Sequence, residues 1–329
     1  MATIDRFGRK NTPVLADLLH LWSTADETDM NIDLESLRNL MQGGQLGDLN
    51  TADKSGIIAA INELLGRIDD PYTNAVFVEA SFTQNAAYRN AAPKRGKYLG
   101  SSFTAEQSAA IRAGTFEGMW KGDYWTIGGV DYVIVHFDPK YKTGDTSLDT
   151  HHVGVMPRGI MTSAAWNIGS NDTSKGYVKS DIRVVTIQGL ASGATPNVDS
   201  TAGIQGQIIS AFGSSHVLKY RALYPTTYAN GQATGWAWTD ARVELLNEVE
   251  AYGSLVWAGD GKGNAYEVGA DKSQLALLRD DPAFVNIRAS WWLRSVPSAS
   301  DACFVFSLGY ASGRGASNSF GVRPLSLIA

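Results

Sequence analysis

Residues 291–324, WWLRSVPSASDACFVFSLGYASGRGASNSFGVRP, decide how this chain is read. Two stiff anchors, Trp291-Trp292-Leu293-Arg294 and Gly321-Val322-Arg323-Pro324, bracket a run of Ser, Ala and Gly. Scattered aromatics stand in it at Phe304, Phe306, Tyr310 and Phe320. From Ser295 to Ala329 there is no Lys, Glu, Gln, Met or Trp, although all five are common upstream. Aromatic rings give large contact area at low rotamer entropy, and Ser, Gly and Asn give adaptable hydrogen bonding. That composition predicts a framework carrying an adaptable contact surface.

Working outward, the chain has 329 residues, 44% hydrophobic and 19% charged, which fits two or three folded domains and not a disordered chain. Net charge is −5 and no Lys/Arg run exists, which argues against nucleic acid as the main partner. Cys303 is the only cysteine, so an internal disulfide and a CxxC zinc or redox pair are excluded. Residues 1–12 carry charges without an apolar core, so no signal peptide is expected. No apolar run reaches the ~18 residues that a membrane span needs, and synthesis in the cytoplasm is the default. The 34 glycines and 9 tryptophans point to a loop-rich fold pinned by aromatics.

Along the chain, Leu15, Leu18, Leu19 and Trp22 share one helical face, and Leu34, Leu37, Leu40 and Met41 repeat the spacing. Residues 13–41 are therefore expected to be helical, stopped by Gly43-Gly44. Ile57, Ile61, Leu64 and Ile68 form a short heptad seam. So brief a helix is marginal alone in water. It is expected to meet copies of itself, with packing onto its own domain as the alternative. Asp70-Pro71-Tyr72 breaks it, and residues 71–97 read as a linker or small connecting layer with a strand at Val76-Phe77-Val78.

From Tyr98 the pattern becomes α+β. Thr104 and Gln107 have capping-box spacing, which predicts a helix over 104–113. Strands over 122–127 and 130–137 are joined by the hairpin turn Gly128-Gly129. A strand over 153–156, helices over 204–212 and 240–252, and strands over 290–293, 302–308 and 322–328 follow. Residues 138–150 and 222–239 read as long irregular segments, which are usually functional.

Two resemblances rest on these residues. Leu46-Gly47-Asp48-Leu49-Asn50-Thr51 followed by Ile57-Ile58-Ala59-Ala60-Ile61-Asn62-Glu63-Leu64 resembles a short element of phage tail and fibre proteins. Gly122-Asp123-Tyr124-Trp125, His151-His152 before Met156-Pro157, Trp291-Trp292-Leu293-Arg294 and Gly321-Val322-Arg323-Pro324 are similar to C-type-lectin-fold head domains of phage tail proteins. These in turn resemble the variable proteins of diversity-generating retroelements, the family of the major tropism determinant. The resemblance implies a receptor-binding, homotrimeric tail-fibre protein in the virion tail. It implies an N-terminal helical attachment and trimerisation region over 1–70 and a C-type-lectin-like head over 98–329, with a variable region at 295–321. In that family adenines in AAC-type codons are rewritten, and such codons cannot reach Lys, Glu, Gln, Met or Trp, all of which are missing after Arg294.

On this resemblance the displayed, ligand-binding residues are Ala302, Phe304, Phe306, Ser307, Leu308, Tyr310, Ser312, Gly313, Arg314, Asn318 and Phe320. Burial of the phenylalanines in a core is the competing reading. Trp291, Trp292, Arg294, Gly321 and Arg323 are framework, with Ala311, Ala316, Ser317 and Ser319. Arg294 and Arg323 are expected to make buried charge-assisted bonds to backbone or to carboxylates such as Asp123 or Asp131. One of the two tryptophans walling the site is an alternative to both being framework.

No catalytic residue, metal or cofactor is expected. Neighbouring residues on a strand face opposite ways, so His151 and His152 do not easily share an ion. Asp260-Gly261-Lys262-Gly263-Asn264 lacks the alternating acids of a calcium loop and reads as a solvated turn. Cys303 reads as a small strand residue, and the cysteine-dependent formylglycine-generating oxidases of the same fold class are not supported. The expected partners are a host cell-surface receptor (protein or glycan), other copies of the chain, and further tail or fibre proteins, with no nucleic acid and no membrane insertion. A tail-associated glycan hydrolase needs two flanking carboxylates. Asp240, Glu244 and Glu248 have helical spacing but read better as a solvated helix face. A purely structural tail component is the remaining alternative.

Overall fold

The computed structural model describes residues 85–229, 232–258 and 274–329, with the pairs Leu21–Trp22 and Asp29–Met30. The chain divides into two compact units, Met1–Phe82 and Thr83–Ala329. In the first, Leu21–Trp22 is a strand paired antiparallel with Asp29–Met30, which corrects the helix expected at those positions. Cross-strand bonds there take the place of helical ones in satisfying the backbone. The seam at Ile57, Ile61, Leu64 and Ile68, the strand at Val76-Phe77-Val78 and the turn at residues 260–264 lie outside the described residues.

The second unit mixes helix and sheet, with sheet dominant, which is compatible with the α+β class. It opens with α1 (Ala86–Ala91), β1 (Tyr98–Gly100), α2 (Ala105–Arg112), β2 (Tyr124–Ile127), β3 (Val130–Phe137), β4 (Val153–Pro157) and β5 (Thr162–Ala165). A 3-10 turn at Tyr177–Lys179, a π-helix at Ile182–Ile187 and α3 (Gly203–Phe212) follow. Then come β6 (Tyr220–Ala229), β7 (Gln232–Ala241), β8 (Val243–Glu244), α4 (Glu248–Tyr252), α5 (Ala276–Asp280) and α6 (Pro282–Val285). The last strands are β9 (Trp291–Trp292), β10 (Asp301–Val305), β11 (Ala311–Gly315), β12 (Ser319–Val322) and β13 (Leu325–Ile328). Among the described residues no helix is long and apolar enough to cross a membrane.

Local chemistry explains the early elements. Thr104 and Gln107 close the capping box, and Gln107 Oε1 also accepts from Trp125 Nε1 at 2.9 Å, which pins α2 to the sheet. Gly128 and Gly129 both take positive φ, 59° and 79°, as a tight hairpin between Ile127 and Val130 requires. α1 falls in the stretch read as a linker. Asn90 ties it to β3, accepting from the Phe137 N–H at 2.8 Å and donating to the Phe137 carbonyl at 2.9 Å.

Two sheets organise the unit. One runs β8-β13-β4-β3-β2-β1 and the other β11-β10-β9-β12-β5. Their central strands are covered on both faces by the same two apolar cores. Tyr132, Ile134, Trp292, Ala302 and Phe304 enter the first core, and Val133, Val135, Trp291, Cys303 and Val305 enter the second. Burial of both faces is why these strands read as near-continuous apolar runs.

Two expectations are corrected. Residues 222–239 are not irregular: β6 and β7 pair antiparallel from Tyr220↔Ala241 to Ala229↔Gln232. The helix expected over 240–252 is only α4. Asn247 forms a capping box with Glu250, which fixes the helix start at Glu248, and Glu244 is instead held in β8 opposite Leu325. Nor are Glu244 and Glu248 solvated; they are 1% and 0% exposed.

Buried charges are paired throughout this region. Arg183 grips Glu244 through Nε and Nη2 at 3.0 and 2.8 Å. Glu250 takes Lys140 Nζ at 2.9 Å on one oxygen and Arg294 Nη1 at 2.5 Å on the other. Burial alone would raise the Glu250 carboxyl, but the charges and hydrogen bonds of Arg294 and Lys140 overcome it and hold it down at about 2. Burial pushes His152 down to about 4, against the opposing pull of its Thr150 hydrogen bond and Asp138. Its Nδ1 lies 2.8 Å from the Thr150 carbonyl and its Nε2 accepts from the Lys140 N–H at 3.2 Å, which fits the neutral ring.

Both shifts are downward, so both groups take up protons more readily in the unfolded chain. Their stabilisation is complete above the unfolded pKa and is lost as pH falls. Acid titration followed by thermal melting is expected to show Tm falling first between pH 6.5 and about 4 as His152 charges. A second fall between pH 4.5 and about 2 belongs to Glu250. Glu250→Gln shrinks the second limb, to which Asp280, held down at about 2 by Arg279 and Lys121, also contributes, and lowers stability at neutral pH by roughly 3–5 kcal/mol, because Arg294 and Lys140 lose their counter-charge.

Candidate functional surface

β10 and β11 form a hairpin at the edge of the five-stranded sheet, in register from Asp301↔Gly315 to Val305↔Ala311. The Phe306 N–H donates to the Tyr310 carbonyl at 2.8 Å and the Gly309 N–H to the Phe306 carbonyl at 2.7 Å, closing the turn. Gly309 takes φ 93°, which favours glycine, and Asn286 Cβ would lie 2.8 Å from any Cβ added there.

Strand alternation puts Ala302, Phe304 and Phe306 on one face, with Arg314, Ser312 and Tyr310 across from them. An aromatic ladder runs along this face. Trp292 meets Phe320 at 4.8 Å and Phe304 at 5.9 Å. Phe304 stacks on Phe320 at 4.4 Å and meets Phe306 at 6.2 Å, and Phe306 stacks on Tyr310 at 4.9 Å. The ladder begins at fully buried Trp292 and ends at Tyr310, 52% exposed, beside a turn that carries Leu308, 70% exposed.

The expected display surface therefore divides. Leu308, Tyr310, Arg314 and Asn318 are exposed. Phe306, Ser307, Ser312, Gly313 and Phe320 are half-buried. Ala302 and Phe304 are buried, which corrects their reading as displayed residues. β10 lies between β11 and β9, and its two faces enter different cores, Ala302 and Phe304 the first and Cys303 and Val305 the second, so neither reaches solvent. The unbroken apolar run Ala302-Cys303-Phe304-Val305-Phe306 is the sequence signal for such a strand.

Trp291, Trp292, Arg294, Gly321 and Arg323 are interior, as are Ala311 and Ala316, whereas Ser317 and Ser319, expected as framework, are exposed beside the turn that joins β11 to β12. Trp291 and Trp292 are both fully buried and enter different cores, so neither walls the surface. Arg294 donates to the Leu245 carbonyl at 2.7 Å as well as to Glu250. Arg323 donates to the carbonyls of Pro157 and Phe284 at 2.8 and 2.6 Å, with its guanidinium 4.0 Å from the Phe284 ring. Burial, with Arg158 nearby, pushes Arg323 down to about 9. Asp123 and Asp131 pair instead with Arg95 and Arg158, at 2.6 and 3.0 Å. Gly321 admits no side chain, because a Cβ would meet the Ser290 carbonyl at 3.0 Å and Ile160 Cβ at 3.1 Å.

A second segment joins the hairpin that the sequence did not reveal. Glu248 accepts from the backbone N–H groups of Val256, Trp257 and Ala258 at 3.2, 2.8 and 2.9 Å. The loop so held presents Val256 and Trp257, each 52% exposed, and the Trp257 indole lies over Gly313. No local spacing encodes that contact, because its partners are far apart in the chain.

Chemistry-bearing side chains elsewhere are tied into structure. His151 Nδ1 lies 2.6 Å from Asp138 Oδ2 and its ring stacks on Tyr141 at 4.1 Å, whereas His152 is fully buried. Burial, reinforced by Glu248, pushes the Cys303 thiol well up, so no thiolate forms at neutral pH. Among the described residues no group of three or more His, Cys, Asp or Glu is placed to hold a metal ion. Open clefts of about 490 and 650 Å³ adjoin at Val130 and Gln207. Comparison with family models, curated proteins and solved structures found no match for this chain.

The ladder separates floor from surface. Phe304→Ser is expected to cost roughly 3–5 kcal/mol, as other buried phenylalanine truncations do. Leu308→Ser and Tyr310→Ser should each stay within about 0.5 kcal/mol of the parent. Urea unfolding of the three variants checks the division.

Proposed function

We propose that this chain is a phage tail-fibre receptor-binding protein. Its second unit is a C-type-lectin-like head that displays a diversifiable, non-enzymatic binding surface. The observation that carries the reading is the β10–β11 hairpin: it exposes Leu308, Tyr310 and Arg314, and Tyr310 stacks on Phe306 at the outer end of an aromatic ladder that starts from buried Trp292 and Phe304. A residue that packs on little can be exchanged at small cost, so such a hairpin tolerates many versions of its exposed surface. Exposed aromatic, aliphatic and arginine groups are strong contact formers. The terminal run free of Lys, Glu, Gln, Met and Trp fits rewriting of AAC-type codons.

In this reading the N-terminal region attaches the protein to the virion tail and joins it to its own copies as a homotrimer. Each site grips weakly, and repetition over a trimer and over several fibres multiplies the effect through effective concentration. Against the hydrolase alternative, two of its three carboxylates are engaged in the interior, Glu244 by Arg183 and Glu248 by backbone N–H groups, while exposed Asp240 pairs with Arg221.

Purified protein is expected to scatter light as a trimer and to be retained by cells of particular bacterial strains in a screening panel. Leu308→Ser with Tyr310→Ser should cut that retention tenfold or more, about 1.4 kcal/mol, at unchanged Tm. Retention by no strain, or release of reducing ends from envelope polysaccharide, overturns the reading.

A further inference from the structure

Glycine at position 313 is not demanded by its own backbone, because its φ lies outside the left-handed region. What stands in the way of a side chain is Trp257. A Cβ built on Gly313 would run into the indole Nε1 and lie 2.7 Å from Cδ1 and 3.2 Å from Cε2. These atoms belong to a ring that is half in solvent and so has somewhere to go. Its backbone has not: the Trp257 N–H donates to buried Glu248 at 2.8 Å, and Glu248 also holds the N–H groups on either side. Any side chain at 313 must therefore act on the rotamer of Trp257 while the loop stays anchored.

We propose that residue 313 sets where Trp257 stands, and that Trp257 is a ligand-contact residue supplied from outside the C-terminal run. The inference rests on the receptor-binding reading above and deepens it. Gly313 lies on the edge strand between Ser312 and Arg314, which face the other side. With glycine there, the indole lies against β11 and extends the surface around the strand edge. With any larger residue, the indole swings away and the ring face it offered is withdrawn. One exchange within the hairpin thus changes two contacts, one of them carried by a residue outside the C-terminal run. Glu248 is the positioning residue for this device.

The test uses the full chain labelled with 5-fluorotryptophan, with Trp257→Phe identifying the Trp257 signal in the fluorine spectrum. Gly313→Ala and Gly313→Val should shift that signal and increase its broadening by a soluble gadolinium chelate. Ser312→Ala, on the opposite face, should leave it in place. Gly313→Val should lower Tm less in a Trp257→Ala background than in the parent, since the obstacle has gone. An unmoved signal in both Gly313 variants, or strictly additive Tm changes, overturns the coupling. For the ligand role, Trp257→Ala should reduce retention by cells of a strain that binds the parent about tenfold, without a change in Tm. Undiminished retention overturns that role and leaves the receptor-binding reading intact. If no strain retains the parent, the receptor reading and the ligand role both fall, and the fluorine spectrum still decides the coupling.

Discussion

Taking a carboxylate out of water is costly unless its oxygens are fully occupied, and this fold buries three within seven residues. Glu244, Glu248 and Glu250 are each under 4% exposed. Glu244 needs Arg183 from the π-helix, Glu250 needs Lys140 after β3 and Arg294 after β9, and Glu248 needs the loop at 256–258. No arrangement that leaves one of these partners elsewhere is tolerable, because a lone buried charge costs several kcal/mol. The apolar cores supply the driving force, and the glutamates select which packing is reached. Arg294 ties the two together, since only Leu293 separates it from the buried tryptophan pair.

That selection is what makes a stiff floor for the hairpin. Trp291 and Trp292 lie on opposite faces of one strand and lock the two cores to the five-stranded sheet. Phe304 and Phe320 stack on that base, and Phe306 carries the stack outward to Tyr310. The chemistry at the tip can vary because nothing below depends on it. A floor built of rotamer-poor rings also keeps the tip from paying much ordering entropy when it engages a partner.

Local signals were legible in the sequence and long-range ones were not. The Thr104–Gln107 capping box, the Gly128-Gly129 hairpin and the opposed tryptophans follow from spacing within a few residues. The helix read over 240–252 failed because Val243, Leu246 and Val249 mimic a helical stripe, whereas Asn247 starts the helix late and Glu244 is drawn into a strand by Arg183. The β6–β7 ribbon was missed because its strands hold Pro225 and Gly235, which read as loop residues. Phe304 was placed outside by analogy although its apolar neighbours argued for an interior strand. Trp257 had no signal at all, since its place over Gly313 is fixed by a carboxylate, not by its own neighbours in the chain. Arg294 and Arg323 do bond backbone carbonyls as expected, but the carboxylate is Glu250 and not Asp123 or Asp131, as spacing alone cannot choose among carboxylates.

The β6–β7 ribbon has a consequence for handling and for crowding. Among the described residues β7 pairs on one side only, it exposes Trp236, and from Gln232 to Ala241 it contains neither lysine nor proline. Open edges of this type template whatever extended segment they meet. At high local concentration the ribbon, before the hairpin, is where copies would begin to aggregate, and a single lysine on its outer strand is the natural gatekeeper.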